Sequence, residues 1–232
     1  MAYREGIAYG GFYAYGKAIV LDFVAANQYH AIHLVTAGDI VAGILSGFTF
    51  NAGRTVDTNI TSEANGTGGK LRIICSVPHG LSTGDLVVLT NMNNAGHNKP
   101  TRVTIDATNP TTEFLCDDIT YVAGAGASAG NVDMPACLKA SAGSAGVYSI
   151  AASVNGTCAA ANKVIKLETN TNVTANDNTA SSRTSTNSLG EIVCSGHITI
   201  AVGDCVWLSM KNITDSSNFT IENLNMHLSR IG

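Results

Sequence analysis

Hydrophobic and polar positions along this chain alternate in short runs. Nowhere do apolar residues hold the i, i+3, i+4, i+7 spacing of an amphipathic helix with a cap and a charged opposite face. Lys17–Val24 and Asp39–Leu45 are rich in β-forming residues and are bounded by Gly16, Gly38 and Gly47. The same pattern predicts strands over Lys70–Val77, Asp85–Thr90, Thr101–Asp106, Thr112–Val122, Gly146–Val154, Lys163–Glu168, Glu191–Cys194, His197–Val202 and Asp204–Lys211. Many short strands with turn residues between them argue for an all-β sandwich or barrel. In the final strand Phe219 and Ile221 occupy odd positions, whereas Leu224, Met226 and Leu228 occupy even ones. Strand side chains alternate with a period of two, so a β-bulge near Glu222-Asn223 is predicted to keep both halves facing the core.

Polar stretches divide the chain. Gly124–Gly130, a run of Gly, Ala and Ser, reads as a hinge. Thr169–Ser188 is almost wholly Asn, Thr, Ser and Ala, too poor in apolar surface for a core element, and is predicted to be a long exposed loop. Thr55–Gly69 is a similar stretch ahead of the strand at Lys70. With the hinge it brackets residues 70–123 as a separate small β-unit. The chain therefore divides into an amino-terminal arm (1–15), a larger β-unit (16–55 and 131–232) and an inserted β-domain with its linkers (56–130). The stretch from Tyr9 to Gly16 is too Gly-rich for a strand on its own and too aromatic for water. It is expected to dock on a partner or neighbouring protomer through Tyr9, Phe12, Tyr13 and Tyr15, the other reading being that it covers its own sandwich.

Charged residues make up only 13% of the chain, and 13 Lys+Arg stand against 17 Asp+Glu for a net charge of −4. No basic field exists to drive counterion release, so no nucleic-acid partner is expected. No apolar run reaches the roughly 20 residues of a membrane span, and no apolar leader follows Met1, so neither a membrane partner nor secretion is expected. Cys75, Cys116, Cys137, Cys158, Cys194 and Cys205 form no C-x-x-C pair and lie in apolar runs, which reads as reduced, buried thiols.

Catalytic look-alikes fail on context. Gly80-Leu81-Ser82-Thr83-Gly84 fits G-x-S-x-G, but a strand follows where the nucleophile elbow needs a helix, so Ser82 is read as a turn residue. His30 and His33 fall on opposite faces of an extended segment, and Asp117-Asp118 lacks the spacing of a calcium loop and reads as a solvated strand end. His197 and His227 alternate away from the apolar residues of their strands and read as surface or interface groups. With no paired carboxylates or triad, no enzymatic activity, cofactor or metal is expected.

Two resemblances sharpen this picture. The run from Val77 through Pro78-His79-Gly80-Leu81-Ser82-Thr83-Gly84-Asp85 to Val87, with Asn98, Val103 and Thr111-Thr112-Glu113-Phe114, resembles a repeat module of phage tail and virion proteins. That module is named after the first catalytic cysteine half-domain of ubiquitin-activating enzymes. Its usual Asn-Gly is Asn98-Lys99 here, and the resemblance implies no catalytic role for Cys75 or Cys116. Gly146-Val147-Tyr148, a hairpin turn at Val154-Asn155-Gly156, the run Ile198–Leu208 and the closing Phe219–Ile231 resemble the second half of a tumour necrosis factor/C1q-type jelly roll. After the Gly203-Asp204 turn, Val206, Leu208 and Met210 then face the core while Trp207 and Ser209 face outward. Residues 16–50 supply the first strands by position.

The resemblances imply a jelly-roll β-sandwich with a small inserted β-barrel-like domain, assembled as a homotrimer with Trp207, His197 and His227 as interface candidates. The function expected is that of a non-enzymatic virion protein. It would be a capsid decoration (cement) protein on the capsid surface of a phage head, with copies of itself and the major capsid protein as partners. The alternative is a tail-fibre tip or other host-receptor-binding protein, against which stands the lack of coiled-coil heptads or collagen-like repeats for a stalk.

Overall fold

The computed structural model describes residues 8–23, 25–33, 38–123, 130–185 and 188–231. The expected hinge at Gly124–Gly130 and the first residues of the expected arm lie outside the described residues, Gly130 apart. In chain order the strands are β1 (Tyr9–Leu21), β2 (His30–Ala31), β3 (Val41–Ala42), β4 (Phe48–Asn51), β5 (Arg54–Asp57), β6 (Ser62–Asn65), β7 (Lys70–Ile74), β8 (Leu86–Thr90), β9 (Pro100–Ile105) and β10 (Glu113–Thr120). They continue with β11 (Asn131–Met134), β12 (Cys137–Ala140), β13 (Gly146–Cys158), β14 (Lys163–Thr171), β15 (Thr174–Ala175), β16 (Ser181–Ser185), β17 (Ser188–Ile200), β18 (Cys205–Asn212) and β19 (Phe219–Arg230). Among the described residues there is no α-helix, only short 3-10 turns.

Two sheets face each other as a jelly-roll β-sandwich. The front sheet runs β17-β13-β19-β1-β3 and the back sheet β15-β14-β18-β12-β4, with β16 also paired to β14 and β2 to β18. From β12 onward the long strands alternate between layers, β12, β14 and β18 at the back and β13, β17 and β19 at the front, which is the jelly-roll wrap. Inward positions of both sheets, among them Phe12, Phe23, Tyr148, Ile150, Leu208, Met210, Phe219 and Met226, form one core. Strand alternation does this: on β18 the even positions Val206, Leu208 and Met210 enter the core while Trp207 belongs to a different cluster.

The bulge predicted in the last strand is present. Asn155 pairs with Asn223 but Gly156 with Ile221, leaving Glu222 over. On the other side Tyr15 pairs with Asn223 and Ile19 with Ile221. Strand β1 therefore buries Phe12 and Ala14 before the break and Ile19 and Leu21 after it. Asn223 holds the level together. Its side-chain oxygen accepts from the Gly16 N–H at 2.9 Å, and its amide donates to Asn155 Oδ1 at 2.9 Å. A Cβ on Gly156 would stand 2.0 Å from the Thr220 carbonyl oxygen, so only glycine passes there. Val154-Asn155-Gly156, expected as a turn, is thus the interior of β13.

The insert is a seven-stranded sheet ordered β5-β11-β8-β9-β10-β7-β6. Its two edge strands are joined by residues 58–61 alone, so the sheet curls around a second core that includes Ile60, Leu71, Ile73, Val87, Leu89, Val103 and Phe114. Asp57 bridges the open edge, accepting from the backbone N–H groups of Ser76 at 2.6 Å and Asn59 at 2.9 Å. His79 is buried edge-on against Phe114, and its Nδ1 accepts from the Leu81 N–H at 3.0 Å, while Gly80 takes a φ of +57° to turn the chain.

Several expectations need correction. The insert's sheet takes in Arg54–Asp57 and Asn131–Met134, a little beyond the limits of 56 and 130, because Val132 pairs with Asp57 and fills the insert's core. Thr55–Gly69 is not a plain linker but supplies β5 and β6. Thr169–Ser188 is not a free loop: β14 runs to Thr171, β15 and β16 fold back on it, and Thr169, Asn170, Thr179 and Ser185 are buried. Backbone pairing to an existing edge orders these polar segments without apolar side chains. Asp117 and Asp118 lie inside β10, bonded to Lys70 and Thr104 and to the Arg102 backbone N–H respectively, rather than at a solvated end.

Candidate interaction face

Among the described residues nothing covers most of the outer side of the front sheet. Pairing registers set its residues in rows that cross four or five strands. One row runs Val193, Ser153, Asn225, Tyr13, Val41; the next Ser195, Ala151, His227, Gly11; then His197, Ser149, Ser229, Tyr9; and on the other side Glu191, Asn155, Asn223, Tyr15. Small residues form the middle of this face and larger ones its flanks. Tyr15 is 59% exposed, Val193 50% and Val41 41%. Tyr13 and Tyr15, two positions apart on one strand, stack at 5.1 Å between ring centroids. Two shallow hollows lie on either side of Tyr13, one of about 260 Å³ reaching Ile44 and His227, the other of about 320 Å³ reaching Asn155 and Glu191. Across the four rows Glu191 is the one carboxylate, and no lysine or arginine occurs.

Five of the residues singled out in the sequence meet here: Tyr9, Tyr13, Tyr15, His197 and His227. The geometry nonetheless differs from the expectation. The aromatic stretch is not an arm but the first half of β1, paired to β19 along its length, and Phe12 turns inward, 1% exposed, as part of the sandwich core. Gly11 is there for close approach, since a Cβ on it would stand 2.5 Å from the Met226 carbonyl oxygen, while Gly16 turns the strand at a φ of +61°. His197 and His227 are exposed on one face but are not neighbours, because β13 runs between their strands.

Trp207 does not belong to this face. It points outward from the back sheet as the alternation predicts, yet it is fully buried. Its cluster contains Ala31, Leu86, Val88, Cys137 and Cys205, so the insert covers it and it is removed as an inter-protomer contact. Its Nε1 donates to the Asn172 carbonyl at 2.7 Å. Asn172, which in the sequence is only one of several Asn-x-Ser/Thr sequons, joins three elements. Its Oδ1 accepts from Arg102 of the insert at 2.6 Å and from the Cys205 N–H at 2.9 Å, while its amide donates to Asp204 at 2.7 Å. Its φ of +53° is accessible to asparagine at modest cost, and a sequon inside a Thr/Asn run is the only sequence signal it leaves.

Further along the back sheet Glu168 is buried between Lys166 and Lys211, with Lys211 Nζ 2.9 Å from the carboxylate and 3.6 Å from the centre of the Tyr29 ring. The two histidines with H-x-x-H spacing part company, as expected. His30 is buried edge-on to Phe23, and burial, then the charge of His33, lowers its pKa to about 4. His33 Nε2 meets Thr55 Oγ1 at 3.0 Å and Asp133 Oδ1 at 3.6 Å, where burial raises the pKa of Asp133. Among the described residues no three His, Cys, Asp or Glu side chains form a metal-binding cluster. Ser82 closes a turn, its N–H donating to Asp85 Oδ2 at 2.8 Å, with strand β8 following.

No protein-family model and no curated protein matches this chain. Among solved structures it is similar to the Eiger TNF protein of S. frugiperda at 9% identity and a TM-score of 0.31, over 77% of this chain and 94% of that one. It is similar also to the isomalto-dextranase of Arthrobacter globiformis T6 at 10% identity and a TM-score of 0.27, over 94% of this chain and 34% of that one. The CBM22-1 xylan-binding domain of Paenibacillus barcinonensis Xyn10C matches at 10% identity and a TM-score of 0.25, over 94% of this chain and 99% of that one.

Proposed function

We propose that this chain is a non-catalytic structural protein of a virion, a homotrimeric capsid decoration protein that binds the major capsid protein on the outer surface of a phage head. The observation that carries the reading is the bare front face. It combines tyrosines, valines and imidazoles around a floor of Gly, Ala and Ser, with one carboxylate and no lysine or arginine in its rows. A surface low in charge, with large residues flanking small ones, suits close contact between protein surfaces, and in a closed ring of three such a patch on each copy meets a different patch on the next. The virion assignment draws on the resemblance of Val77–Val87, Asn98, Val103 and Thr111–Phe114 to a phage virion module, a stretch in which Gly80 turns the chain and Phe114 lies in the insert's core.

Assembly state and particle binding test the proposal. Sedimentation velocity of the purified chain is expected to give a trimer. Co-sedimentation with expanded capsids is expected to show saturable binding, with added density at threefold positions in a particle reconstruction. Absence of binding to capsids, or labelling of the tail by antibody, overturns the capsid assignment and favours a receptor-binding role.

A further inference from the structure

The six cysteines, all free and buried, fall into two groups. Cys75 and Cys116 are sealed in the insert's core, and Cys158 and Cys194 in the sandwich core. Cys137 and Cys205 belong to neither core. They sit on the outer side of the back sheet on adjacent strands, one diagonal step apart, Cys137 pairing with Trp207 and Lys139 with Cys205. On this shared face the two side chains are neighbours in one cluster. Both line a cleft of about 200 Å³ between the back sheet and the insert, walled by Asp85, Leu86 and Pro135.

We propose that Cys137 and Cys205 are a redox site, at which a small disulfide entering this cleft is reduced to two thiols while the pair becomes an intramolecular disulfide. Cys205 attacks first. The S–H of Cys137, then the positive charges of Arg102 and Lys139, lower its pKa below the ordinary thiol value against the effect of burial. The Cys205 thiolate forms a mixed disulfide and expels one thiolate. Cys137 loses its proton to solvent and attacks Cys205 Sγ, expelling the second thiolate and closing the Cys137–Cys205 bond. The two protein thiols give up two electrons and two protons, and the small disulfide takes up both.

The bond so formed is reversible for a geometric reason. Diagonal neighbours in an antiparallel sheet have Cα atoms roughly 7–8 Å apart. A relaxed disulfide needs about 4.4–6.8 Å. Closure therefore draws β12 and β18 together and leaves a strained, easily reduced bond. Trp207, the one tryptophan of the chain, stands opposite Cys137 and reports on the change, because a disulfide beside an indole quenches its emission.

Treatment of the folded chain with 4,4′-dithiodipyridine tests this. We expect two thiopyridones released per chain with no adduct retained, a Cys137–Cys205 peptide in a non-reducing digest, and a fall in Trp207 emission that dithiothreitol reverses. Cys137→Ser is expected to stop at a mixed disulfide on Cys205, and Cys205→Ser to react at least ten-fold more slowly than the parent. A stable adduct on Cys205 of the parent chain, labelling of Cys75, Cys116, Cys158 or Cys194 ahead of the pair, or no reaction while the fold is intact overturns the proposal. The digest of the parent chain decides the matter even if a variant misfolds.

Discussion

The two sheets of the sandwich turn opposite kinds of surface outward. At the back, every outward residue of the central strand β18 is buried, Trp207 against the insert, Ser209 beside its paired strand β2 and Lys211 against the Tyr29 ring. At the front, the outward residues of the longer strands β13, β17 and β19 are largely exposed or partly so. Polar groups at the back find partners within the chain: Asn170 with Ser209 at 2.9 Å, Glu168 with Lys211, Trp207 with Asn172. Burial requires this, since an unpaired buried polar group costs about 1–3 kcal/mol. No such demand acts on the front, where Asn225, His227 and Tyr15 are free to bind another molecule. The back face therefore serves the stability of the chain, while the front face is left open to solvent.

Substitutions test that division, the largest effect first. Trp207→Ala is expected to cost about 3–5 kcal/mol of unfolding free energy in urea melts, with no change in assembly state. A loss below about 1 kcal/mol would mean that the insert does not depend on the contact. Acid comes second. His30 in the folded chain takes its proton near pH 4, whereas the unfolded chain takes it near the ordinary value of 6.5. The folded pKa is the lower one, so the stability due to neutral His30 is complete above pH 6.5 and is lost as the pH falls toward 4. The loss proceeds at about 1.4 kcal/mol per pH unit, roughly 3 kcal/mol in all. His30→Phe should flatten that slope in urea midpoints measured across the range. Asn223→Ala, which removes both bonds at the bulge, is expected to cost about 1–2 kcal/mol. Tyr15→Ser is expected to move stability by no more than about 0.5 kcal/mol yet shift the sedimentation profile toward monomer. A variant as stable as the parent and still fully trimeric would place the self-contact elsewhere.

Much of the fold was legible in the sequence, because alternation reports directly on which side of a strand is buried. The outward turn of Trp207, the inward Val206, Leu208 and Met210, and the bulge at Glu222 all followed from parity. What alternation cannot say is what lies on the outward side. Trp207 looked like an inter-protomer contact because the insert that covers it is distant in sequence. The opposite error arose at Tyr9–Tyr15, where low local strand propensity hid a strand that β19 imposes through pairing. Polar Thr169–Ser188 was misjudged for the same reason. Of the candidate face, the residue types were visible but not their convergence, which depends on β13 lying between β17 and β19.

The strands flanking the insert have a consequence for how such a chain can be rebuilt. Asn51 pairs with Cys137 across the end of the β4–β12 hairpin, and Arg54 pairs with Met134 where β5 and β11 begin the insert's sheet. The incoming and outgoing chains thus lie side by side at the tip of a hairpin, the insert standing where a short turn would otherwise close it. At such a graft point a module can be exchanged or enlarged without altering the order of any strand in the sandwich. The conditions are that the replacement brings two neighbouring ends and an apolar patch to roof Trp207. The sandwich is in this sense a portable platform.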